Sequence, residues 1–359
     1  MKLKSLMMPL AALAITASTV AAPMAVSAAG EVALNGSGST FVQPLLENWA
    51  FEYAKVDTAV KINYSGGGSG KGKTDIINGT VDFAGTDSPL NDAEAGRKAM
   101  VQIPIAAGAV VAVYNLPGVK TLTFDGATLG KIYAGKIEKW NDPAIAALNK
   151  GAALPNIPII VVHRSDGSGT TNIFTTYLAR ASDDWKATVT PPSGTTVDWP
   201  ADKVKRGLGG AGNQGVAATV QKARGAIGYV ELAYAVNNKI AYAKMINAAD
   251  TTVDASVASV VAAMSDAAFD KRNKADIENS KDAAAWPISG FTYLLLNKDY
   301  ADCAKAGKLL SFVTWSLTSP AAQARATRLL YANLPASIVP AAGVAIKSVT
   351  CANGNPVFK

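Results

Sequence analysis

The chain has 359 residues, 49% of them hydrophobic, with 34 Lys and Arg against 27 Asp and Glu. This length is enough for two domains with separate cores, and the mildly basic balance suits a small acidic ligand. No dense Lys/Arg run is interleaved with aromatic residues, so no nucleic acid partner is expected. The single histidine, His163, argues against a zinc site, and any Ser-His-Asp triad would have to use it. We therefore expect no metal and no cofactor.

The N-terminal segment predicts export. Two lysines precede a long apolar run that ends in small residues, which is typical of a secretory signal peptide. We assign it residues 1–29, with cleavage near Ala28 or Ala29. No later stretch is long and apolar enough to span a bilayer. Because exported proteins usually meet an oxidising compartment, Cys303 and Cys351 favour a disulfide, the alternative being two buried free thiols.

The first turn of the exported chain combines glycines with hydroxyls. It runs from Asn35 to Phe41 and precedes apolar positions that recur on one helical face up to Tyr53. Thr40 and Gln43 fit a capping box. The first N–H groups of a helix are unpaired and carry a partial positive charge. The turn is therefore either a plain helix cap or a helix start that faces an anion.

A second glycine-rich loop follows a predicted strand at 60–64. Residues 67–74 match the phosphate-loop pattern G-x-x-x-x-G-K-T, which taken literally predicts a nucleoside triphosphatase. Two observations argue against that interpretation: the chain is exported to where nucleoside triphosphate is scarce, and no apolar strand ending in an acidic residue supplies an obvious partner for magnesium. We favour a smaller oxyanion, which a loop of exposed N–H groups also suits.

The next segments alternate between predicted strands and helices. A short strand at 80–86 ends at Asp87, which is either an Asx-type turn residue or an unusual acidic member of an anion site. Residues 101–114 predict two apolar strands joined through small residues, as expected where a chain passes between domains. Residues 128–148 show a helical pattern.

The most informative stretch is a strand, a Gly/Ser turn and a helix. Residues 159–162 predict a buried strand, and the helix begins near Thr170. Arg164 would add a full positive charge to the helix start, and Asp166 could fix its orientation. The alternative is an ordinary corner with a surface arginine.

The C-terminal half continues the alternation. Residues 207–212 match the dinucleotide pattern G-x-G-x-x-G, but they do not follow a predicted strand, which makes a dinucleotide site a weak interpretation. Strands are predicted at 225–231 and 286–296, and a helix from about 304 to 316. Strands that alternate with helices predict an α/β fold.

Several of these stretches together resemble the phosphate-binding proteins of bacterial phosphate ABC transporters. The four most specific stretches are 36–41, 64–70, 81–90 and 164–170, and further ones are 129–133, 207–215 and 225–231. The resemblance implies an α/β, two-lobed periplasmic binding protein fold of type II, with mixed sheets flanked by helices and the ligand in the interdomain cleft. Lobe 1 is expected to comprise 30–107 and 289–359, and lobe 2 to comprise 108–288.

The resemblance also implies a phosphate site made of helix starts, hydroxyls, one acid and one arginine: Thr40, Phe41, Ser69, Asp87, Arg164, Ser168, Gly169 and Thr170. Asp87 matches the aspartate that accepts a proton from the ligand. Asp166 resembles the acid that holds the arginine. His163 stands where some relatives have an arginine.

The function implied is high-affinity capture of inorganic phosphate in the periplasm and delivery to the permease subunits of an ABC transporter, by a monomer that is not an enzyme. The alternative is a secreted phosphatase on the same scaffold, with a hydroxyl of residues 168–170 as nucleophile. The lack of a clear metal cluster and of a second histidine argues against it. An exported adhesion protein is a third interpretation, with no dedicated feature in its favour.

Overall fold

A computed structural model describes residues 31–358, so the predicted signal peptide and its cleavage position lie outside the described residues. The strands are β1 Val32–Gly38, β2 Val60–Gly66, β3 Phe83–Thr86, β4 Met100–Tyr114, β5 Thr123–Phe124, β6 Ile160–Arg164, β7 Gly207–Gly210, β8 Ala226–Glu231, β9 Ala241–Tyr242, β10 Lys244–Ile246, β11 Thr252–Val253, β12 Ser289–Asn297, β13 Asp299–Tyr300, β14 Thr350–Cys351 and β15 Asn355–Pro356.

The helices cover the sheet strands and alternate with them along the chain. They are α1 Gln43–Tyr53, α2 Ser69–Ile77, α3 Asp92–Arg97, α4 Gly126–Tyr133, α5 Pro143–Leu148, α6 Gly169–Ala181, α7 Asp183–Thr188, α8 Pro200–Lys203, α9 Gly212–Lys222, α10 Leu232–Asn237, α11 Val257–Ala263, α12 Cys303–Thr318, α13 Pro320–Arg328 and α14 Val339–Lys347. None of the helices within 31–358 is long and apolar enough to cross a membrane.

The main sheet is mixed, with strand order β2-β1-β3-β12-β4-β8-β6-β7 and β9 paired to β4. Strand β1 is parallel to β2 and β3, and β6 is parallel to β7 and β8. Strands β8 and β12 are antiparallel to β4. Because neighbouring parallel strands end at the same edge, the loops that follow β1, β2 and β3 lie together, as do those after β6 and β7.

The long strand β4 connects the two halves of this sheet. It pairs with β12 up to Ala109 and with β8 from Val110 onward. The prediction of two strands here was wrong, because the small residues around Gly108 fit a fully buried strand as well as they fit a turn. A register shift opposite β12 accommodates Pro104, which cannot donate to the ladder.

The predicted helical pattern at 128–148 is two helices. Gly135 follows α4 with a φ of 76°, a left-handed conformation that ends helices. The side chain of Asp142 then accepts a hydrogen bond from the Ala144 N–H and caps α5. Further along the chain, Cys303 at the start of α12 is joined to Cys351 of β14 by a disulfide.

Candidate anion-binding site

The N-termini of α2 and α6 meet. Ser168 caps α6 by accepting a hydrogen bond from the Thr171 N–H at 3.0 Å. The backbone N–H of Gly169, the first residue of α6, donates to the Oγ of Ser69 at the start of α2, at 3.1 Å. The close approach requires glycine: a Cβ on Gly169 would lie 2.4 Å from Asp87 Oδ2, and one on Gly68 would lie 2.1 Å from Asp166 Oδ2. The structure thus brings together Ser69, Ser168 and Gly169.

Asp87 is buried among hydroxyl groups. It is 2% exposed, and its carboxylate accepts hydrogen bonds from Ser39 Oγ at 2.6 and 2.7 Å and from Thr292 Oγ1 at 2.8 Å. Burial raises the pKa of Asp87 to about 6, although the hydroxyls of Ser39 and Thr292 and the charge of Arg164 oppose the shift. Because these partners are distant in sequence, the Asp87 carboxylate makes long-range hydrogen bonds and is not only the acceptor of an Asx-type turn.

Arg164 is held by Asp166 in a two-pronged ion pair. The Arg164 side chain is 1% exposed, its Nε donates to Asp166 Oδ1 at 2.7 Å, and Nη2 donates to Oδ2. Asp166 also accepts the Gly212 N–H at 2.9 Å. Burial alone would raise the pKa of Asp166, but Arg164 and the backbone N–H lower it below its usual value. The carboxylate therefore fixes the plane of the guanidinium.

Thr40 and Phe41 lie at the entry to α1, both buried. The Phe41 N–H donates to Ser39 Oγ at 3.0 Å, and the Thr40 carbonyl accepts from Tyr234 Oη at 2.7 Å. The predicted capping box of Thr40 and Gln43 was wrong, because α1 begins at Gln43 with Val42 as a cap that lacks a side-chain hydrogen bond. The Thr40 hydroxyl instead bonds Asn213, as does that of Thr170.

Sequence reasoning missed three polar residues that bond the predicted ones: Ser39, Asn213 and Thr292. Ser39 sits in the first Gly/hydroxyl turn, and Asn213 lies inside a stretch that carried the family resemblance. The signal at Thr292 was a single hydroxyl within the apolar strand β12. Each could have been flagged as a polar residue in a buried or glycine-rich context, but local patterns do not indicate which partner any of them would bond.

Two glycine-rich motifs have structural roles in place of their literal interpretations. Lys73, the lysine of the phosphate-loop pattern, is 5% exposed and pairs with Glu94 at 2.9 Å. Residues 207–212 include β7 and the start of α9, where the Gly212 N–H supports Asp166. Lys73 and Gly212 therefore both have structural partners, which are the carboxylates of Glu94 and Asp166.

His163 is engaged away from the hydroxyls of residues 168–170. Its Nε2 lies 2.9 Å from Asp202 Oδ1, its Nδ1 lies 3.1 Å from the Arg164 carbonyl, and its ring stacks on Trp199. Both ring nitrogens therefore have partners other than a nucleophile. Within residues 31–358, no group of three or more His, Cys, Asp or Glu is arranged to hold a metal ion.

Comparisons with known proteins identify the family of the chain. A model of the PBP superfamily domain matches residues 25–320. The chain is 42% identical over 314 residues to the phosphate-binding protein PstS of Xylella fastidiosa strain 9a5c, covering 86% of this chain and 83% of the relative. It is 40% identical over 311 residues to PstS of Haemophilus influenzae, covering 85% and 90%.

Solved structures share the architecture. A high-affinity periplasmic phosphate-binding protein bound with phosphate superposes with a TM-score of 0.68 at 24% identity, covering 87% of this chain and 93% of that one. A phosphate-binding protein from Stenotrophomonas maltophilia gives 0.69 at 19% identity, covering 90% and 96%. These confirm the two-lobed α/β fold, and the sequence relatives confirm the resemblance: the chain belongs to the PstS family of phosphate-binding proteins.

Proposed function

We propose that the protein binds inorganic phosphate with high affinity in the periplasm and delivers it to a phosphate ABC transporter. The observation that carries the proposal is one buried acceptor among many donors. Asp87, 2% exposed, lies beside the N-termini of α2 and α6, where the Gly169 N–H donates to Ser69 Oγ and a Cβ on Gly169 would lie 2.4 Å from Asp87 Oδ2, and the charge of Arg164 acts on its carboxylate. The donors suit an oxyanion, and the acceptor suits an oxyanion that keeps a proton.

This combination explains a preference for phosphate over sulfate. Phosphate retains a proton near neutral pH and can donate it to Asp87, whereas sulfate meets the carboxylate only as a like charge. A buried polar group left unpaired costs about 1–3 kcal/mol, which corresponds to roughly 5- to 150-fold weaker binding of sulfate. The full phosphate set we propose is Thr40, Phe41, Ser69, Asp87, Arg164, Ser168, Gly169 and Thr170, with Asp166 orienting Arg164.

We propose that lobe 1 comprises 30–107 and 289–359 and lobe 2 comprises 108–288. Support comes from β4, whose pairing changes from β12 to β8 between Ala109 and Val110. On this division the proposed ligands come from both lobes, so closure about β4 and β12 would assemble the site.

Periplasmic location and a monomeric receptor for permease subunits follow from the same proposal. The N-terminal segment carries the signal-peptide pattern, and one structural neighbour is described as periplasmic. The relatives are named as binding proteins, so we infer that this protein is not an enzyme. No specific observation favours the secreted phosphatase, since His163 contacts Asp202 and the Arg164 carbonyl.

Calorimetric titration of the anion-stripped protein with phosphate tests the proposal. Tight one-to-one binding is expected, together with no hydrolysis of a chromogenic phosphate ester. Failure to bind phosphate would contradict the proposal, and turnover of the ester would instead support the phosphatase.

A further inference from the structure

Asn213 connects hydroxyls that belong to different parts of the candidate site. It is the second residue of α9 and is fully buried. Its backbone N–H and its Nδ2 both donate to Thr40 Oγ1, at 3.0 and 2.9 Å. The same Nδ2 donates to Thr170 Oγ1 at 3.1 Å. One amide therefore reaches a residue that precedes α1 and a residue in the first turn of α6.

The backbone fixes which way the Asn213 amide faces. Its Oδ1 accepts the Glu231 N–H at 2.9 Å. Because a backbone N–H can only donate, the atom that faces it must be the amide oxygen, and the amide nitrogen must face the threonines. The donor character of Asn213 toward Thr40 and Thr170 is thus set by main-chain geometry.

Counting donors shows what remains for the two hydroxyls. A hydroxyl has two acceptor sites and one proton. Thr40 Oγ1 accepts both hydrogen bonds from Asn213. Thr170 Oγ1 accepts from Asn213 and, at 3.3 Å, from Arg164 Nη1, which cannot accept in return. Each oxygen has both acceptor sites filled, so each hydroxyl can only donate its proton.

We propose that Asn213 is a positioning residue that makes the Thr40 and Thr170 hydroxyls obligate donors toward the bound oxyanion. This inference rests on the proposed phosphate function and deepens it. Neither threonine hydroxyl can accept the ligand's proton, so that proton is directed to Asp87. Asn213 thereby helps to select an oxyanion that carries its proton at one defined oxygen.

A double-mutant cycle tests the role. Asn213→Ala frees one acceptor site on each threonine hydroxyl, so neither hydroxyl is any longer forced to donate its proton to the ligand. We expect about tenfold weaker phosphate binding, from the loss of about one charge-assisted hydrogen bond. In a Thr40→Val and Thr170→Val background the hydroxyls are gone, and Asn213→Ala should then change the phosphate dissociation constant less than about twofold.

Asn213→Asp, run in the same cycle, is a second variant that keeps the shape of the side chain. The introduced carboxylate can only accept, so it would draw the threonine protons away from the ligand, and we expect about 100-fold weaker binding. Its charge also repels the anion, but that contribution is the same in both backgrounds and cancels in the cycle. A packing role alone would make Asn213→Ala the more damaging variant, because it opens a cavity.

Asn247→Ala is the matched control. Asn247 is also a buried amide, but its Nδ2 donates to the backbone carbonyls of 282, 283 and 285, outside the site. It should lower the unfolding temperature and leave phosphate affinity unchanged. The inference would be overturned if both Asn213 variants bound phosphate with wild-type affinity. It would also be overturned if the Asn213 substitutions weakened phosphate binding equally with and without the Thr40 and Thr170 hydroxyls. Absence of phosphate binding by the wild type would overturn the proposed function itself.

Discussion

Two aspartates of the candidate site lie in opposite environments. Asp87 is surrounded by hydroxyls, and burial raises its pKa to about 6. Asp166 is paired with Arg164, whose ion pair and hydrogen bonds outweigh burial and lower the pKa of Asp166. Both carboxylates follow a strand of the main sheet, so their position along the fold does not explain the difference.

The two aspartates have different roles. Asp166 is already neutralised and bonded at both oxygens, which makes it a support for Arg164. The hydrogen bonds to the Asp87 carboxylate within residues 31–358 come from neutral hydroxyls, and its charge is destabilised by burial. A hydrogen bond from a protonated ligand would therefore stabilise the charged carboxylate. Arg164 therefore attracts an anion to the site, and Asp87 favours an anion that can donate a proton.

Removal of the cation should have the largest effect. Arg164→Ala leaves Asp166 without its ion-pair partner and takes the full positive charge from the site. We expect phosphate binding to weaken by about 2–5 kcal/mol, roughly 30- to 5,000-fold. Calorimetric titration measures it, with Arg206→Ala as control because Arg206 pairs with Glu138 instead. Near-normal affinity in Arg164→Ala would contradict the assigned role.

The pH dependence of stability should identify Asp87 in the anion-free protein. Its pKa is about 6 when folded against an ordinary value of 3.8, so the folded state binds more protons between these values. The stabilisation is complete below about pH 4 and is lost as pH rises through about 6. Relative to Asp87→Asn, the wild type should lose about 3 kcal/mol of unfolding free energy across this window.

Denaturant unfolding at a series of pH values gives this difference. The variant is the reference because the contributions of groups that do not interact with Asp87 cancel in the difference. Burial also raises the pKa of Glu231, and the charge of Asp87 raises it further, so the measured difference belongs to Asp87 together with this coupling. A stability difference that stays constant from about pH 4 to about pH 7 would show that folding does not raise the pKa of Asp87.

Neutralising the supporting aspartate should have the smallest effect. Asp166→Asn loosens Arg164 but also removes a negative charge from the neighbourhood of the anion, and these effects oppose each other. We expect the phosphate dissociation constant to change less than about threefold, with discrimination against sulfate unchanged. Competition titration checks both values, and a loss of sulfate rejection here would remove the distinction between the two aspartates.

Local patterns were enough to predict several of the elements that carry the site. A buried strand followed by a Gly/Ser turn and a helix became β6 and α6, with Ser168 as the helix cap. The pairing of Arg164 with Asp166, two residues apart, was expected for the same reason. The proximity of the loops after β1, β2 and β3 follows from parallel pairing, which the sequence implied only through its family resemblance.

Long-range partners could not be predicted. Thr292 lies 205 residues from Asp87 and meets it because β12 inserts between β3 and β4. Asn213 lies 173 residues from Thr40. Strand insertion and the docking of α9 depend on how the whole sheet packs, whereas propensity and motif spacing report only on neighbouring residues. The continuous strand β4 escaped prediction because alanine and glycine fit several local structures.

The central claim is that Asp87 selects phosphate by requiring a proton from the ligand. The most direct measurement is the ratio of sulfate to phosphate dissociation constants, determined by competition calorimetry, for the anion-stripped wild type and Asp87→Asn. Asp82→Asn serves as a control, since Asp82 pairs with Lys305. We expect Asp87→Asn to lower this ratio by roughly 5- to 150-fold, because asparagine can donate to sulfate. An unchanged ratio would contradict the role of Asp87 in selecting phosphate.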